Sequence, residues 1–171
     1  MSMLIILRGY PGVGKTTIGK ILEKDGVAVF IDHNLILNFI ASIVGNDDDI
    51  YEEIHTLEKS MTNKILKNKK SAIVARGFCD TARLNEYIDI SNKIKLKTVV
   101  IKLVAPKSIL SERVQSLERL NDFNPTVTPD KIIEWMVENP LEPFEGEYTV
   151  DTSKPINGVI KEIKLILLNA T

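Results

Sequence analysis

The stretch Gly9-Tyr10-Pro11-Gly12-Val13-Gly14-Lys15-Thr16 decides the fold of this chain of 171 residues. An apolar run, 3–8, precedes it and an amphipathic segment, 14–24, follows it, so we expect a loop between a buried strand and a helix. Glycines let the backbone of such a loop approach an anion closely, and the N–H groups at the start of the helix bind phosphate. The stretch therefore predicts a binding site for a nucleoside triphosphate.

Individual residues of this loop have predicted tasks. The ammonium of Lys15 would reach the β and γ phosphates, and the hydroxyl of Thr16 would bind Mg²⁺. The predicted nucleotide-binding residues of the loop are Gly12, Val13, Gly14, Lys15, Thr16 and Thr17. The sequence contains no Asn-Lys-x-Asp motif for guanine, which disfavours a GTPase.

Apolar runs alternate with helical patterns along the chain, which is typical of an α/β domain with a parallel sheet. Strands are predicted over residues 3–8, 27–31, 71–76, 97–105 and 147–150, and helices over residues 14–24 and 155–169. Two longer segments carry no strand signal, and each is predicted to hold two helices. The first, 34–69, would break at 45–47. The second, 107–138, would break at 121–125, and Thr128 would cap the helix that follows.

The composition is that of an ordinary globular protein, with 44% hydrophobic and 26% charged residues. The net charge of −1 gives no electrostatic reason to expect nucleic-acid or membrane binding. The single cysteine, Cys79, excludes an intramolecular disulfide and favours a reducing compartment. No apolar run approaches the roughly 20 residues that span a bilayer. We therefore expect a cytoplasmic protein without a membrane partner.

An acidic residue, Asp32, follows the second predicted strand, where parallel sheets present their ligand crevice. Its carboxylate could accept a proton from an attacking hydroxyl group, as a general base does in phosphoryl transfer. Alternatively, Asp32 caps the following helix. Position alone leaves both interpretations open.

The pattern Gly-x-Pro-Gly-x-Gly-Lys-Thr-Thr, with a strand ending in Asp32 about 16 residues later, resembles the small P-loop kinases. These include phage polynucleotide kinase, chloramphenicol phosphotransferase, shikimate kinase and the nucleoside monophosphate kinases. The resemblance implies a P-loop NTPase fold, with three α/β/α layers, a five-stranded parallel sheet in the order 2-3-1-4-5 and a helical lid. Residues 1–171 would form one domain, with 34–69 as a helical substrate-binding segment and about 107–138 as the lid. It also implies ATP and Mg²⁺ as cofactors, and Asp32 as the general base.

The resemblance assigns further residues in the second half of the chain. Arg113 and Arg119 match the lid arginines that stabilise the transferring phosphoryl group, and are the predicted catalytic residues there. Six residues separate them, so both converge on one point only if their helix ends before Arg119. Alternatively, either is a surface arginine paired with a neighbouring glutamate. Thr152 lies in a turn that would contact the adenine or cap the last helix.

One position departs from the kinase pattern. Many relatives carry an acidic residue at the end of the third strand, which helps to organise Mg²⁺, whereas this chain carries Arg76. Arg76 could bind an anionic substrate, replace a catalytic arginine or pair with a nearby carboxylate. With Asp32 and Arg83, it forms the predicted substrate-binding set. Mg²⁺ would then depend on Thr16, on water molecules and on Asp32.

The sequence therefore predicts an ATP-dependent kinase that transfers the γ-phosphate to a hydroxyl of a small molecule or of a nucleic-acid end. Lys15, Asp32, Arg113 and Arg119 are its predicted catalytic residues. One alternative is a nucleoside monophosphate kinase, in which Arg76 or Arg83 binds the acceptor phosphate. Another is a protein that binds or hydrolyses ATP without transferring phosphate. The predicted partners are the nucleotide and an unidentified acceptor.

Overall fold

The first strand lies at the centre of the sheet and is buried along its whole length. A computed structural model describes residues 2–44, 50–115 and 129–170. The strands are β1 (Met3–Arg8), β2 (Val29–Ile31), β3 (Ala72–Arg76), β4 (Lys97–Val104) and β5 (Tyr148–Asp151). The helices are α1 (Lys15–Lys24), α2 (His33–Val44), α3 (Ile50–Lys67), α4 (Thr81–Lys93), α5 (Lys107–Gln115), α6 (Pro129–Glu138) and α7 (Ile156–Asn169).

The five strands form one parallel sheet in the order β2-β3-β1-β4-β5, which confirms the predicted order. Successive side chains of β1 point to opposite faces, as the geometry of a strand requires. Ile5 and Leu7 join the core cluster that contains α1 and α7 residues, whereas Leu4 and Ile6 join the cluster that contains α4 residues. Helices therefore cover both faces of the sheet.

The carboxyl ends of β1 and β3 are adjacent, because Arg8 pairs in register with Arg76. The loop after β1 therefore begins beside the residues that follow β3, and the amide of Gly9 lies 3.4 Å from the carbonyl oxygen of Gly77. This edge of the sheet is where open parallel sheets bind ligands.

One helix, α4, was not expected from the sequence. Asp80 begins it, because its carboxylate accepts a hydrogen bond of 3.0 Å from the amide of Arg83. Leu84 and Tyr87 pack beneath the sheet. The helix was predictable from Leu84, Tyr87 and Ile88, whose spacing is that of one helical face.

The predicted pairs of helices in both long segments are confirmed as α2 with α3 and α5 with α6. The breaks predicted at 45–47 and 121–125, and the cap at Thr128, lie outside the described residues. The division into a substrate-binding segment and a lid stays a prediction. Within the described ranges, no helix is both long and apolar enough to cross a bilayer.

Candidate active site

The loop between β1 and α1 has a backbone that only glycine allows at its start. Gly9 has a φ of +145°, and a Cβ there would lie 2.5 Å from the carbonyl oxygen of Leu103. Gly14 precedes α1 with a φ of +87°, and no side chain caps that helix. The N–H groups in the first turn of a helix have no acceptor within the helix. Those of α1 are therefore placed to bind an anion.

The ammonium of Lys15 lies over this loop. Its Nζ donates to the carbonyl oxygens of Gly9 and Tyr10, at 2.8 and 2.9 Å. Val13 is buried in the core and fixes the middle of the loop, whereas Thr16 is half-buried and Thr17 is exposed. The loop therefore combines a positive charge, uncapped amides and an accessible threonine hydroxyl within one turn of helix.

Asp32 lies at the end of β2 and caps α2. Its Oδ1 accepts hydrogen bonds from the amides of Asn34 and Leu35, at 3.1 and 3.4 Å. Its Oδ2 lies 3.0 Å from Nζ of Lys20 on α1. Lys20 is one turn beyond Thr16, so the two share a face of α1. The structure thus shows that Asp32 caps α2 and contacts the face of α1 that also carries Thr16. The role of Asp32 as a general base stays a prediction.

Arg76 lies in a cluster of buried and partly buried polar side chains, which we call the Glu58 cluster: His33, His55, Glu58, Arg76 and Tyr87. Glu58 is its centre, with a side chain that is 1% exposed. Its Oε2 accepts hydrogen bonds from Nη1 of Arg76 and from the hydroxyl of Tyr87, both at 3.0 Å. Its Oε1 lies 2.8 Å from Nδ1 of His33. Arg76 is therefore paired with a carboxylate, one of the three alternatives that the sequence left open.

His55 extends the Glu58 cluster toward the surface. Its Nδ1 lies 2.9 Å from Nη1 of Arg76, and its Nε2 lies 3.2 Å from a carboxylate oxygen of Glu86. Burial, and then the positive charges of Arg76 and Lys59, lower the pKa of His55. Burial and the neighbouring Glu58 carboxylate raise the pKa of Tyr87. Both side chains are therefore neutral near pH 7.

Sequence reasoning missed the Glu58 cluster as a unit. Its members lie on four separate elements, and no local pattern links them. The only signal available in the sequence was Arg76 itself, whose charge at the end of a buried strand requires a partner. Arg83, by contrast, lies at the surface in an ion pair with Glu52 of α3.

Arg113 connects the phosphate-binding loop to the turn after β5. Its Nη2 donates to the carbonyl oxygen of Thr152 at 2.7 Å, and its Nη1 lies 3.4 Å from the carbonyl oxygen of Gly12. The hydroxyl of Thr152 in turn donates to the carbonyl of Val104 at 3.1 Å. The structure thus brings Gly12, Arg113 and Thr152 together. Arg119 lies outside the described residues.

The segment after α6 is attached to the start of the loop, which the sequence did not indicate. Arg8 is fully buried and pairs with Glu147 at 3.1 Å. Tyr10, inside the loop, accepts a hydrogen bond of 3.1 Å from the amide of Leu141. Its ring also meets that of Trp135 edge to face, at 6.0 Å between centroids. Trp135 therefore lies at the site, on the helix that would form part of the lid.

The chain is similar to known proteins in both sequence and structure. The chain is 30% identical to the L-seryl-tRNA(Sec) kinase of Methanococcus maripaludis, in an alignment that covers 94% of this chain and 64% of that protein. It thus spans less than two thirds of that relative's length. A provisionally assigned kinase from Chloroflexus aurantiacus has a similar structure, with a TM-score of 0.77 at 20% identity, covering 99% of this chain and 98% of that one.

Shikimate kinase from Bacteroides thetaiotaomicron also shares the fold, with a TM-score of 0.65 at 16% identity over 96% of this chain and 98% of that one. These structures confirm the predicted resemblance to small P-loop kinases and the predicted fold. The sequence profile of one family, described as an AAA domain, matches residues 4–140. The chain therefore belongs to the AAA domain family and has the fold of the small P-loop kinases.

Proposed function

We propose that this protein is an ATP-dependent kinase that transfers the γ-phosphate to a hydroxyl group of a small molecule or of a nucleic-acid end. The observation that carries the proposal is the convergence of three parts on one edge of the sheet. They are the uncapped start of α1 with Lys15, the carboxylate of Asp32, and the contacts between Arg113 and Thr152. The 30% identity to an L-seryl-tRNA(Sec) kinase supports the proposal.

The residues of the loop suit a nucleoside triphosphate. The amides at the start of α1 would hold its phosphates, and Lys15 would neutralise charge on the β and γ oxygens as the bond breaks. Arg113 would contact the nucleotide beside Thr152, with Arg119 as the second lid arginine.

Mg²⁺ would be held by the hydroxyl of Thr16, with Asp32 nearby and the phosphates themselves as ligands. Among the described residues, no group of three or more His, Cys, Asp or Glu side chains forms a metal site of its own. A cation that enters with the nucleotide fits this donor set, because Mg²⁺ is commonly bound by one or two protein oxygens together with phosphates. Bound there, it would withdraw charge from the transferring phosphoryl group.

The acceptor would lie between the loop, the ends of β2 and β3, and the helices of segment 34–69. A hydroxyl acceptor is favoured over a phosphate acceptor because Arg76 and Arg83 are already paired with Glu58 and Glu52. The carboxylate of Asp32 would take the proton of the attacking hydroxyl. This acceptor class includes the seryl group named in the relative's substrate, as well as free small molecules. A cytoplasmic location, proposed from the single cysteine, fits the use of ATP.

Two measurements test the proposal. ATP with Mg²⁺ at about 100 times its Kd should stabilise the protein by about 2.7 kcal/mol, which a thermal shift detects, and GTP should stabilise it less. Pools of hydroxyl compounds incubated with γ-labelled ATP should then yield a labelled product. Nucleotide binding with only inorganic phosphate released would instead identify an ATPase.

A further inference from the structure

His33 follows Asp32 directly and starts α2, so its imidazole lies at the end of β2. Its Nδ1 lies 2.8 Å from the buried Oε1 of Glu58. A carboxylate that pairs with an arginine, as Glu58 does with Arg76, can only accept the hydrogen bond from His33. The hydrogen between them therefore belongs to Nδ1 of His33, and in the neutral imidazole the lone pair is on Nε2.

The side chain of His33 is partly exposed to solvent. The Nδ1 edge faces Glu58, whose side chain is only 1% exposed, while the side chain of His33 is 20% exposed. Within the described part of the chain, Nε2 of His33 has no hydrogen-bond partner. His33 therefore offers a fixed hydrogen-bond acceptor one residue after Asp32, at the strand end where the acceptor substrate is proposed to bind.

The second histidine of the chain is held in the opposite form. Nη1 of Arg76 can only donate, so Nδ1 of His55 accepts from it, and Nε2 of His55 carries the hydrogen toward Glu86. Arg76 and Glu58 thus set both tautomers in opposite senses. His33 differs from the buried His55 in one respect: Nε2 of His33 remains available to accept a hydrogen bond from a ligand.

We propose that His33 binds the acceptor substrate, with Nε2 accepting a hydrogen bond from an O–H or N–H group adjacent to the hydroxyl that is phosphorylated. Glu58 is the positioning residue that fixes the ring and its tautomer. This assignment rests on the proposed kinase function. It narrows the acceptor to hydroxyl compounds with a neighbouring donor, such as amino alcohols and polyols, because a carboxylate or phosphate in that place would meet a second acceptor.

The tautomers are measurable without any substrate. The chain has two histidines, so nitrogen NMR of histidine-labelled protein above pH 7.5 shows two rings. We expect the hydrogen on Nδ1 for His33 and on Nε2 for His55, with the His33→Asn variant assigning the signals. A hydrogen on Nε2 of His33 would overturn the proposal, because that nitrogen would then be a donor.

The functional test uses matched acceptors and one conservative variant. L-serinamide is compared with 3-hydroxypropanamide, and glycerol with 1,3-propanediol, so that each pair differs only in the neighbouring donor. His33→Asn keeps an amide N–H for Glu58 but loses the Nε2 acceptor. Wild type should prefer the donor-bearing member of a pair by about tenfold in kcat/KM, the worth of one hydrogen bond. The variant should lose that preference while the KM for ATP and the melting temperature stay near those of wild type.

The outcomes separate this proposal from the kinase function itself. No label transfer by wild type to any hydroxyl compound would remove both. Transfer with an unchanged preference in His33→Asn would remove the role of His33 alone, and so would phosphorylation confined to compounds without a neighbouring donor. Glu58→Gln provides the second readout, since it should admit the Nε2–H form of His33 and reduce the preference as well.

Discussion

Arg76 of β3, which is partly buried, and the buried Glu58 of α3 form an ion pair, with 3.0 Å between Nη1 and Oε2. This pair occupies the strand end where the kinase resemblance leads one to expect an acidic residue. The arginine therefore does not bring an unbalanced positive charge to the site. Its charge is neutralised locally, and the same carboxylate orients His33 and accepts from Tyr87.

Breaking this pair from one side should be costly. We expect Arg76→Met to lower the free energy of unfolding by about 3–5 kcal/mol, because it leaves Glu58 buried and charged without its cation. The double variant Arg76→Met with Glu58→Gln should recover much of the loss, since glutamine still accepts hydrogen bonds. Urea denaturation measures both.

The matched control is Arg83→Met. Arg83 also pairs with a glutamate, but at the surface, so its free energy of unfolding should stay close to that of wild type. If Arg76→Met lowered the free energy of unfolding as little as Arg83→Met, the pair of Arg76 and Glu58 would not stabilise the fold.

His55 should make stability depend on pH. Its pKa in the folded protein lies below the ordinary value of 6.5, so the unfolded chain binds more protons as the pH falls below 6.5. The free energy of unfolding should therefore decrease between pH 7 and pH 5. In His55→Gln this decrease should be smaller, as urea titrations at several pH values would show. The same slope in both proteins would mean that His55 titrates normally.

Two substitutions separate the two candidate roles of Asp32, general base and helix cap. Asp32→Asn should lower the rate of transfer to a hydroxyl by about 10²–10⁴-fold with little change in ATP affinity, because the amide cannot accept the proton. It should still cap α2, whereas Asp32→Ala should also lose about 1 kcal/mol of stability. Rate, nucleotide affinity and melting temperature are compared for both variants. If both keep full activity, Asp32 is a cap only.

Arg113 should matter for nucleotide affinity more than for stability. Its guanidinium reaches Gly12 and Thr152 together, which a single ammonium cannot reproduce. We expect Arg113→Lys to raise the Kd for ATP about tenfold, roughly the loss of one charge-assisted hydrogen bond. Titration calorimetry with a non-hydrolysable ATP analogue measures it, with Arg83→Lys as the control. Unchanged affinity would place Arg113 outside the nucleotide site.

The sequence was sufficient for the parts of the fold that local chemistry controls. A few consecutive residues are enough to predict each of three features: the glycine loop, the apolar strands and the cap at Asp32. The strand order came from the resemblance to the small P-loop kinases. The strand predicted over 27–31 begins two residues before β2. Val27 still belongs to the turn after α1, because its amide donates a hydrogen bond to the carbonyl oxygen of Leu22.

The candidate site was harder to predict where it depends on distant residues. Glu58 resembles any polar residue on the surface of an amphipathic helix until the fold places it against His33 and Arg76. Arg8 likewise is buried by residues more than 130 positions away. Such contacts follow from tertiary packing, which neither helical period nor residue type encodes locally.

The central claim is that Lys15 supports phosphoryl transfer to a hydroxyl group. The direct measurement is transfer of label from γ-labelled ATP to an acceptor by wild type and by Lys15→Ala, with circular dichroism confirming that both are folded. We predict a labelled product with wild type and its loss in Lys15→Ala, because the substitution removes the ammonium that would neutralise charge on the β and γ oxygens. A labelled product formed equally fast by Lys15→Ala would contradict the account.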